Sequence, residues 1–134
     1  MALFEWIDFK SMGDARGQLV ALEAFRNIPF EIKRVYYLFD TQSQVARGFH
    51  AHKKLTQVLI CLSGTCRIIL DNGHIREEAW MNSPTQGLII RDMTWREMHD
   101  FSPGCVLLVL ADAYYDESDY IRNYSDFLAM GRAS

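Results

Sequence analysis

The stretch RGFHAHKKLTQVLICLSG, residues 47–64, contains the pattern from which the fold is predicted. Within it, the apolar run 57–62 ends at the turn signal Ser63-Gly64, which is typical of a short strand. His50 and His52 are two residues apart, so on a strand both imidazole rings project from the same face. Such a pair serves metal binding or proton transfer. Two histidines at an exposed strand edge without any role fit the spacing equally well.

Short apolar or alternating segments of the same kind recur along most of the chain. The predicted strands are residues 3–9, 18–25, 31–39, 57–62, 65–70, 74–81, 87–90 and 105–110. The clearest joint between two of them is Asn72-Gly73, because both residues tolerate the positive φ angles of a tight hairpin turn. Strands this short, with turns at such regular spacing, predict an all-β sandwich or barrel.

Only the C-terminal segment has a helical period. In residues 116–131, DESDYIRNYSDFLAMG, the side chains of Tyr120, Tyr124 and Phe127 recur at i, i+4 and i+7. The aspartate that begins this segment is suited to cap the first turn, and the glycine that ends it is suited to close the helix. We therefore expect a single domain, residues 1–134, that consists of β-strands and one short C-terminal helix.

The composition excludes several classes of protein. A length of 134 residues suits one domain, and 14 basic against 17 acidic side chains give a net charge of −3, which disfavours nucleic-acid binding. The three cysteines have no CxxC spacing and indicate a reducing compartment. Charged residues interrupt the first ten positions, MALFEWIDFK, where a secretory signal needs an apolar run, and no stretch approaches the roughly 20 apolar residues of a membrane span. We expect a cytoplasmic protein that binds neither nucleic acid nor membrane.

The histidine pair belongs to a longer motif. His50 and His52 are followed by four residues, Gln57, six residues and Gly64, which resembles the first motif of the cupin superfamily, HxH-x4-E-x6-G, with glutamine in place of the glutamate. In metal-binding cupins the histidines and the glutamate are ligands, but a neutral amide binds a divalent cation far less well than a carboxylate does. Arg96 stands near the ligand position of the second motif and would repel a cation. The sequence therefore predicts a cupin without a metal.

A longer resemblance covers nearly the whole chain. It is carried by IPF (28–30), IKRVYY (32–37), RGFHAHKK (47–54), QVLICLSG (57–64), WREM (95–98) and YYDESDYIRNY (114–124). These stretches resemble the nucleotide-sugar 3,4-ketoisomerases. The resemblance implies a cupin-type jelly-roll barrel and an enzyme that needs no cofactor. Its implied reaction moves the ketone of dTDP-4-keto-6-deoxyglucose from C4 to C3. It also implies a homodimer with exchanged N-terminal strands and a role in supplying 3-amino-3,6-dideoxy sugars for surface glycans such as O-antigen.

The reaction needs a base at C3, a proton donor at C4 and a donor to the enediolate oxygen between those steps. Histidine has a suitable pKa for the proton transfers, so we assign His50 as the first acid/base and His52 as a relay or orienting group. Tyr36 matches the tyrosine of the family's active site. Alternation along the strand separates Tyr36 from Tyr37, so one of the two points inward. A tyrosine packed in the core is the alternative for Tyr36.

The diphosphate of such a substrate needs cationic or polar partners, and arginine offers two parallel N–H donors to it. The predicted substrate-binding residues are Arg16, Arg47, Lys53, Gln57, Arg96 and His99. Solvated surface positions are the alternative for each basic residue, and a structural histidine is the alternative for His99. The resemblance implies that galacto-type members have Arg at the position of Arg16 and His at the position of Arg96. Gluco-type members have Tyr and Arg at these two positions. This chain fits neither pattern, and Arg16 and His99 favour the galacto product.

Two other functions are compatible with the same fold. One is a metal-dependent cupin, a dioxygenase or isomerase using iron or manganese, although His50, His52 and His99 would supply only part of its ligand set. The other is a cupin that binds a nucleotide sugar without catalysis, which would lack acid/base residues. Both histidines and Tyr36 are present, so the sequence favours the isomerase.

Overall fold

The computed structural model describes residues 3–133, which form antiparallel β-sheets and a C-terminal helix. The strands are β1 (Glu5–Asp8), β2 (Met12–Asp14), β3 (Gly17–Leu19), β4 (Arg34–Leu38), β5 (Arg47–His52), β6 (Gln57–Ser63), β7 (Cys66–Asp71), β8 (Arg76–Met81), β9 (Gln86–Ile90), β10 (Trp95–His99), β11 (Val106–Ala111) and β12 (Tyr120–Ile121), and the helix is α1 (Tyr124–Ala133). Within this part of the chain, no helix has the length and apolar content that crossing a membrane requires.

Two five-stranded sheets make up the molecule. Their strand orders are β1-β9-β6-β11-β4 and β12-β5-β10-β7-β8, while β2 and β3 form a separate hairpin. Strands far apart in the chain are neighbours, as β6 is with β11 and β5 with β10, and these pairs are antiparallel. Long connections that return a strand beside a distant partner are typical of a jelly roll. The predicted all-β cupin-type jelly roll with a short C-terminal helix is confirmed.

The main core lies between the two sheets. Its buried members are Leu59, Cys61, Cys66, Ile68, Leu70, Ala79, Met81, Leu88, Ile90, Met98, Phe101, Cys105, Leu107 and Val109. Each large aliphatic side chain buried in this way contributes about 2 kcal/mol to folding. The three cysteines are buried members of this core and form no disulfide with one another.

A second apolar cluster covers the outer face of the first sheet, where Ile28 and Phe30 pack on Val58 and Ile60. The sequence predicts a strand over residues 18–25 in the segment leading to this cluster. The prediction is wrong after Leu19, where β3 ends. The Asn27 side chain accepts a hydrogen bond from the Glu23 N–H at 2.8 Å and donates one to the Ala21 carbonyl at 2.7 Å. These bonds fold the segment into a turn, so it cannot continue as a strand.

The C-terminal helix is shorter than its sequence pattern predicts. The Asp116 carboxylate accepts hydrogen bonds from the Ser118 N–H and hydroxyl, which closes one 3₁₀ turn over Glu117–Asp119 rather than beginning an α-helix. Asn123 accepts from the Asp126 N–H at 3.0 Å and caps α1 instead. Gly131 lies within α1 and does not end it. Between the turn and the helix, β12 adds a short strand to the second sheet.

Candidate active site

A cavity of about 450 Å³ opens between the two sheets, beside β4, β5 and β12. The residues that line it are Arg34, Tyr36, Leu38, Arg47, Gly48, His50, Met98, Tyr115, Tyr120 and Arg122. Three of these side chains are arginines and three are tyrosines, so the wall combines positive charge with aromatic hydroxyl groups. Such a wall suits an anionic ligand that also has polar and flat parts.

His50 and His52 lie side by side on β5, as their spacing predicts. Their ring centroids are 5.0 Å apart, and the Tyr120 ring is 5.0 Å from His50 and 4.3 Å from His52. His50 is half-buried at the cavity wall, whereas His52 is 1% exposed. His50 Nδ1 and His52 Nε2 are buried and have no hydrogen-bond partner in the described part of the chain. Each ring therefore has a buried nitrogen that is not engaged in a hydrogen bond of the usual geometry.

An irregularity in β5 sets the direction of these rings. Gly48 has φ +92° and Phe49 has φ +57°, and the pairing of β5 with β10 shifts register between Arg96 and Glu97. A Cβ on Gly48 would lie 3.1 Å from the Arg96 carbonyl oxygen, so glycine is required there. Positive φ at a residue such as Phe49 is unusual and typical of functional sites. The bulge re-aims the strand just before His50.

Both histidines are neutral at physiological pH. Burial, with the Arg96 charge as a second cause, lowers the pKa of His50 to about 4. The same two causes lower the pKa of His52 to about 2. A neutral imidazole has one unprotonated nitrogen, so each ring is able to accept a proton. Once protonated, such a ring releases the proton readily because its pKa is low.

Arg96 is a buried cation bound to neutral oxygens. Its side chain is 1% exposed, and burial lowers its pKa to about 10, so it remains charged. Nη2 and Nε donate to the Thr94 carbonyl at 3.0 and 3.3 Å, and Nη1 donates to Gln57 Oε1. None of these acceptors carries a formal charge. The guanidinium charge therefore acts on the histidines and on whatever occupies the cavity beside them.

Gln57 links Arg96 to Tyr36. While its Oε1 accepts from Arg96, its Nε2 donates to the Tyr36 hydroxyl oxygen at 3.0 Å. Burial raises the pKa of Tyr36, against the opposing effect of the Arg96 charge, so the phenol keeps its proton. Because its oxygen accepts from Gln57, the phenolic O–H is left to donate to a ligand. Tyr36 thus presents a hydrogen-bond donor at the cavity wall.

The donor set does not fit a divalent cation. A metal held by His50 and His52 would need the third ligand position of the motif, where Gln57 stands, and the Arg96 guanidinium is already bonded to the Gln57 oxygen. A fixed positive charge at this position repels a cation. We therefore derive no catalytic step through a metal.

Comparison with known proteins identifies the family. The sequence profile of the family described as “FdtA: WxcM-like, C-terminal” matches residues 3–132. The chain belongs to this FdtA family.

Relatives of the chain in this family include enzymes of known activity. The TDP-4-oxo-6-deoxy-alpha-D-glucose-3,4-oxoisomerase of Aneurinibacillus thermoaerophilus is 60% identical over 121 residues, which are 90% of this chain and 87% of that protein. The crystal structure of a histidine-to-asparagine variant of the 3,4-ketoisomerase QdtA from Thermoanaerobacterium thermosaccharolyticum, in complex with TDP-4-keto-6-deoxyglucose, has a TM-score of 0.96 at 45% identity and covers 99% of this chain and 96% of its own. The TDP-quinovose 3,4-ketoisomerase WlaRB of Campylobacter jejuni has a TM-score of 0.91 at 50% identity, with 96% and 99% covered.

The FdtA-family fold brings six of the nine residues predicted for the site together. Tyr36, Arg47 and His50 line the cavity. Behind this wall, His52 lies against His50, and the Arg96–Gln57 pair holds Tyr36.

The other three predicted residues lie elsewhere in the described chain. Arg16 is at the tip of the β2–β3 hairpin, where its side chain is 90% exposed and pairs with Asp14 at 2.6 Å. Lys53 is exposed just beyond β5. His99 lies in β10 on the opposite face from Arg96, with Nε2 2.9 Å from a Glu97 oxygen. Strand alternation explains this placement, because residues at odd spacing face opposite sides.

Several residues of the site were not predicted from the sequence. They are Arg34, Tyr115, Asp119, Tyr120 and Arg122. Arg34 stacks over the rings of Tyr36 and Tyr115 at 5.4 and 5.7 Å, and Arg122 lies 4.2 Å from the Tyr120 ring. Asp119, Tyr120 and Arg122 come from the segment interpreted as the start of a helix, and Tyr115 directly precedes it. The signal was the Asp116-x-Ser118 turn, which interrupts the helical period.

Proposed function

We propose that this chain is a sugar-nucleotide 3,4-ketoisomerase that converts dTDP-4-keto-6-deoxyglucose into its 3-keto isomer by acid/base catalysis. The observation that carries the proposal is the grouping of two neutral histidines, a protonated tyrosine and a buried arginine at one cavity. The activities of its FdtA-family relatives agree with it. No oxidant or reductant is needed, because the substrate and the product are isomers.

The reaction divides into two proton transfers through an enediol or enediolate. In the first, a base removes the proton from C3, the C3–H electrons form the C3=C4 double bond, and the C4 carbonyl oxygen takes up the negative charge or a proton. In the second, the C3 hydroxyl loses its proton to become the ketone, and C4 receives a proton. His50 is the first base in this scheme, because it lines the cavity with an unprotonated nitrogen.

The enediolate oxygen requires a donor and a positive field. Tyr36 supplies the donor, since its oxygen accepts from Gln57 and its own proton is free for the substrate. Arg96 supplies the field without leaving its place, because its bonds to Thr94 and Gln57 are already formed. Donors and charges fixed before the reaction stabilise the developing charge without reorganisation during it.

The nucleotide diphosphate binds at the arginines of the cavity mouth. Arg47 is exposed and unpaired in the described contacts, and Arg34 has a buried Nε without a partner there. Arg122 is bonded to Glu117 at 2.8 and 2.9 Å and would exchange this partner for a phosphate. A guanidinium group can donate two parallel N–H···O hydrogen bonds to the oxygens of one phosphate. Tyr115 and Tyr120 offer aromatic faces beside them.

We further propose a homodimer in which the N-terminal strands are exchanged. In the single chain β1 pairs with β9, and an exchanged dimer would make the same pairs with the partner's β9. The outward face of the edge strand β4 supports a partner, because Val35, Tyr37 and the adjoining Phe39 are more than half exposed. The hairpin that carries Arg16 follows β1, so the exchange would also carry Arg16 to the other subunit. Sedimentation velocity tests the proposal, and a monomer at micromolar concentration would contradict it.

We propose the galacto product, in which C4 is protonated on the face opposite to that of the gluco product. Arg16 supports this choice by its match to the galacto type. His99 no longer does, because it faces away from the cavity. The enzyme is proposed to act in the cytoplasm, as one domain over residues 1–134, in the supply of 3-amino-3,6-dideoxy sugars.

The most informative experiment is incubation of the purified protein with dTDP-4-keto-6-deoxyglucose in deuterated water, followed by NMR. The proposal predicts a 3-keto product with deuterium at C4 and exchange at C3 of the recovered substrate. A small H4–H5 coupling in undeuterated product indicates the galacto configuration and a large one the gluco configuration. Absence of both product and exchange would refute the function. Stoichiometric metal together with loss of activity on chelation would refute the metal-free mechanism.

A further inference from the structure

Asp119 contacts the site from behind His52. Its Oδ2 is 3.1 Å from His52 Nδ1, and its Oδ1 accepts the backbone N–H of Lys54 at 2.8 Å. The Asp119 carbonyl also accepts the Lys53 N–H at 3.0 Å. The aspartate is therefore bonded to the chain on both sides of the β5 end, and its side chain is only 18% exposed.

This contact decides which nitrogen of His52 carries the proton. A carboxylate accepts hydrogen bonds and does not donate them, so the neutral ring bonded to it has its proton on Nδ1. The opposite nitrogen, Nε2, is then an unprotonated acceptor. It is buried and meets no hydrogen-bond partner within residues 3–131. A buried acceptor without a partner costs free energy, which is typical of a position that a reacting group fills.

We propose that Asp119 is a positioning residue for proton transfer, holding His52 in the Nδ1–H tautomer with Nε2 free to take a proton. The inference rests on the proposed isomerase function, since it assigns His52 the relay or orienting role beside His50. It adds a role for the last residue of the 3₁₀ turn, which directly precedes β12. The turn and β12 therefore set the state of the histidines, in addition to the substrate contacts proposed for Tyr120 and Arg122.

The first test replaces the carboxylate by an amide. In Asp119→Asn the side-chain NH₂ can donate to Nδ1, which favours the Nε2–H tautomer and removes the free acceptor. We expect kcat to fall on the order of 100-fold, as for loss of one acid/base partner, with KM changed less than about 3-fold. Asp119→Glu, which keeps the carboxylate, should recover part of kcat. Asp126→Asn is the matched control, because it removes the same charge from an exposed position in α1, and it should keep the kcat of the unsubstituted enzyme.

The second test does not depend on activity or on any variant. Long-range ¹H–¹⁵N correlation spectra of the unsubstituted protein report the tautomer of His52 directly. The inference predicts an unprotonated Nε2 in the unsubstituted protein and in Asp126→Asn, and a protonated Nε2 in Asp119→Asn. An Nε2–H tautomer in the unsubstituted protein would overturn the inference, as would a folded Asp119→Asn protein with unchanged kcat. If the unsubstituted protein has no isomerase activity, the proposed function fails while the tautomer result still stands.

Discussion

Arg96 is the residue that most clearly separates this site from a metal-binding cupin site. Its guanidinium bonds the oxygen of Gln57, which stands at the position of the carboxylate ligand in the cupin motif. A buried positive charge is thus present where the fold otherwise binds a cation. We interpret the glutamine and the arginine as a joint replacement for the carboxylate ligand and its metal ion. A carboxylate at position 57 would neutralise the Arg96 charge that the enediolate needs.

Gln57→Glu tests that interpretation. The substitution keeps the size of the side chain, but it pairs a carboxylate with Arg96 and removes the N–H that donates to Tyr36. We expect kcat to fall about 10- to 100-fold, because the positive field is cancelled and the Tyr36 proton is drawn toward the new carboxylate. Steady-state kinetics of Gln57→Glu and of the control Gln42→Glu, in an exposed loop, measure the effect. Equal kcat values for the two variants would show that the Arg96 field is not used.

His50→Asn separates catalysis from binding. The histidine lies on the cavity wall, while the arginines proposed to bind the diphosphate do not depend on it. We expect loss of most turnover, by about 100-fold or more, with dTDP affinity changed less than about 3-fold. Calorimetric titration with dTDP and the kinetic assay measure the two quantities. The exposed His74 provides the control, His74→Asn, and a parallel loss of affinity and turnover in His50→Asn would assign His50 a structural role.

At the scale of the elements, most of the strands proposed from the sequence occur in the structure. Which face of each strand points into the cavity could not be predicted from the sequence. Alternation and turn residues are local, so seven of the eight predicted strands occur in the structure. The parity of β10 placed Arg96 inside and His99 outside, but only the register of β10 against β5 and β7 decides which parity faces the cavity. Asp119 meets His52 across 67 residues of chain, a contact that no local pattern contains. The helical period of residues 116–131 predicts a continuous helix and so gives no indication of β12. In the structure, Asp116 caps a 3₁₀ turn and Asn123 begins α1, which leaves β12 between them.

Helix α1 is expected to stabilise the site through β12. Phe127 is buried between α1 and the second sheet, with its ring 5.9 Å from that of Trp95. Phe127→Ala should lower the free energy of unfolding by about 3–5 kcal/mol, as for other buried phenylalanines. Urea denaturation measures the change, and Met130→Ala, on the exposed side of α1, is the control. Loss of less than about 1 kcal/mol in Phe127→Ala would mean that the helix is not needed to hold this end of the sheet.

At the scale of the whole molecule, the net charge of −3 conceals a cationic centre. The cavity wall contains Arg34, Arg47 and Arg122, and Arg96 lies behind it. The acidic side chains on the turns offset this charge in the sum but not at the site. Composition could therefore exclude a polyanionic partner, and only the fold reveals a place for a single diphosphate.

Burial of the two histidines, with the Arg96 charge as a second cause, makes the stability of the whole molecule depend on pH. In the folded state His50 and His52 have pKa values lowered to about 4 and about 2, whereas an unfolded histidine titrates near 6.5. Below pH 6.5 the histidines therefore bind protons in the unfolded chain but not in the folded chain. Their contribution to the free energy of unfolding is complete above pH 6.5 and declines as pH falls. Between pH 6.5 and 5 each histidine should lower the free energy of unfolding by up to about 1.4 kcal/mol per pH unit.

This interval lies above the range in which carboxylates with lowered pKa values, such as Glu97, take up protons, so the slope isolates the histidines. Urea denaturation at several pH values measures it. His50→Asn should reduce the slope by about half, because only His52 then remains as a group that the fold keeps neutral. His74→Asn, at an exposed position, should leave the slope unchanged. A slope that is the same with and without His50 would mean that folding does not lower the pKa of His50, and would contradict the assignment of His50 as a group that the folded enzyme keeps neutral below pH 6.5.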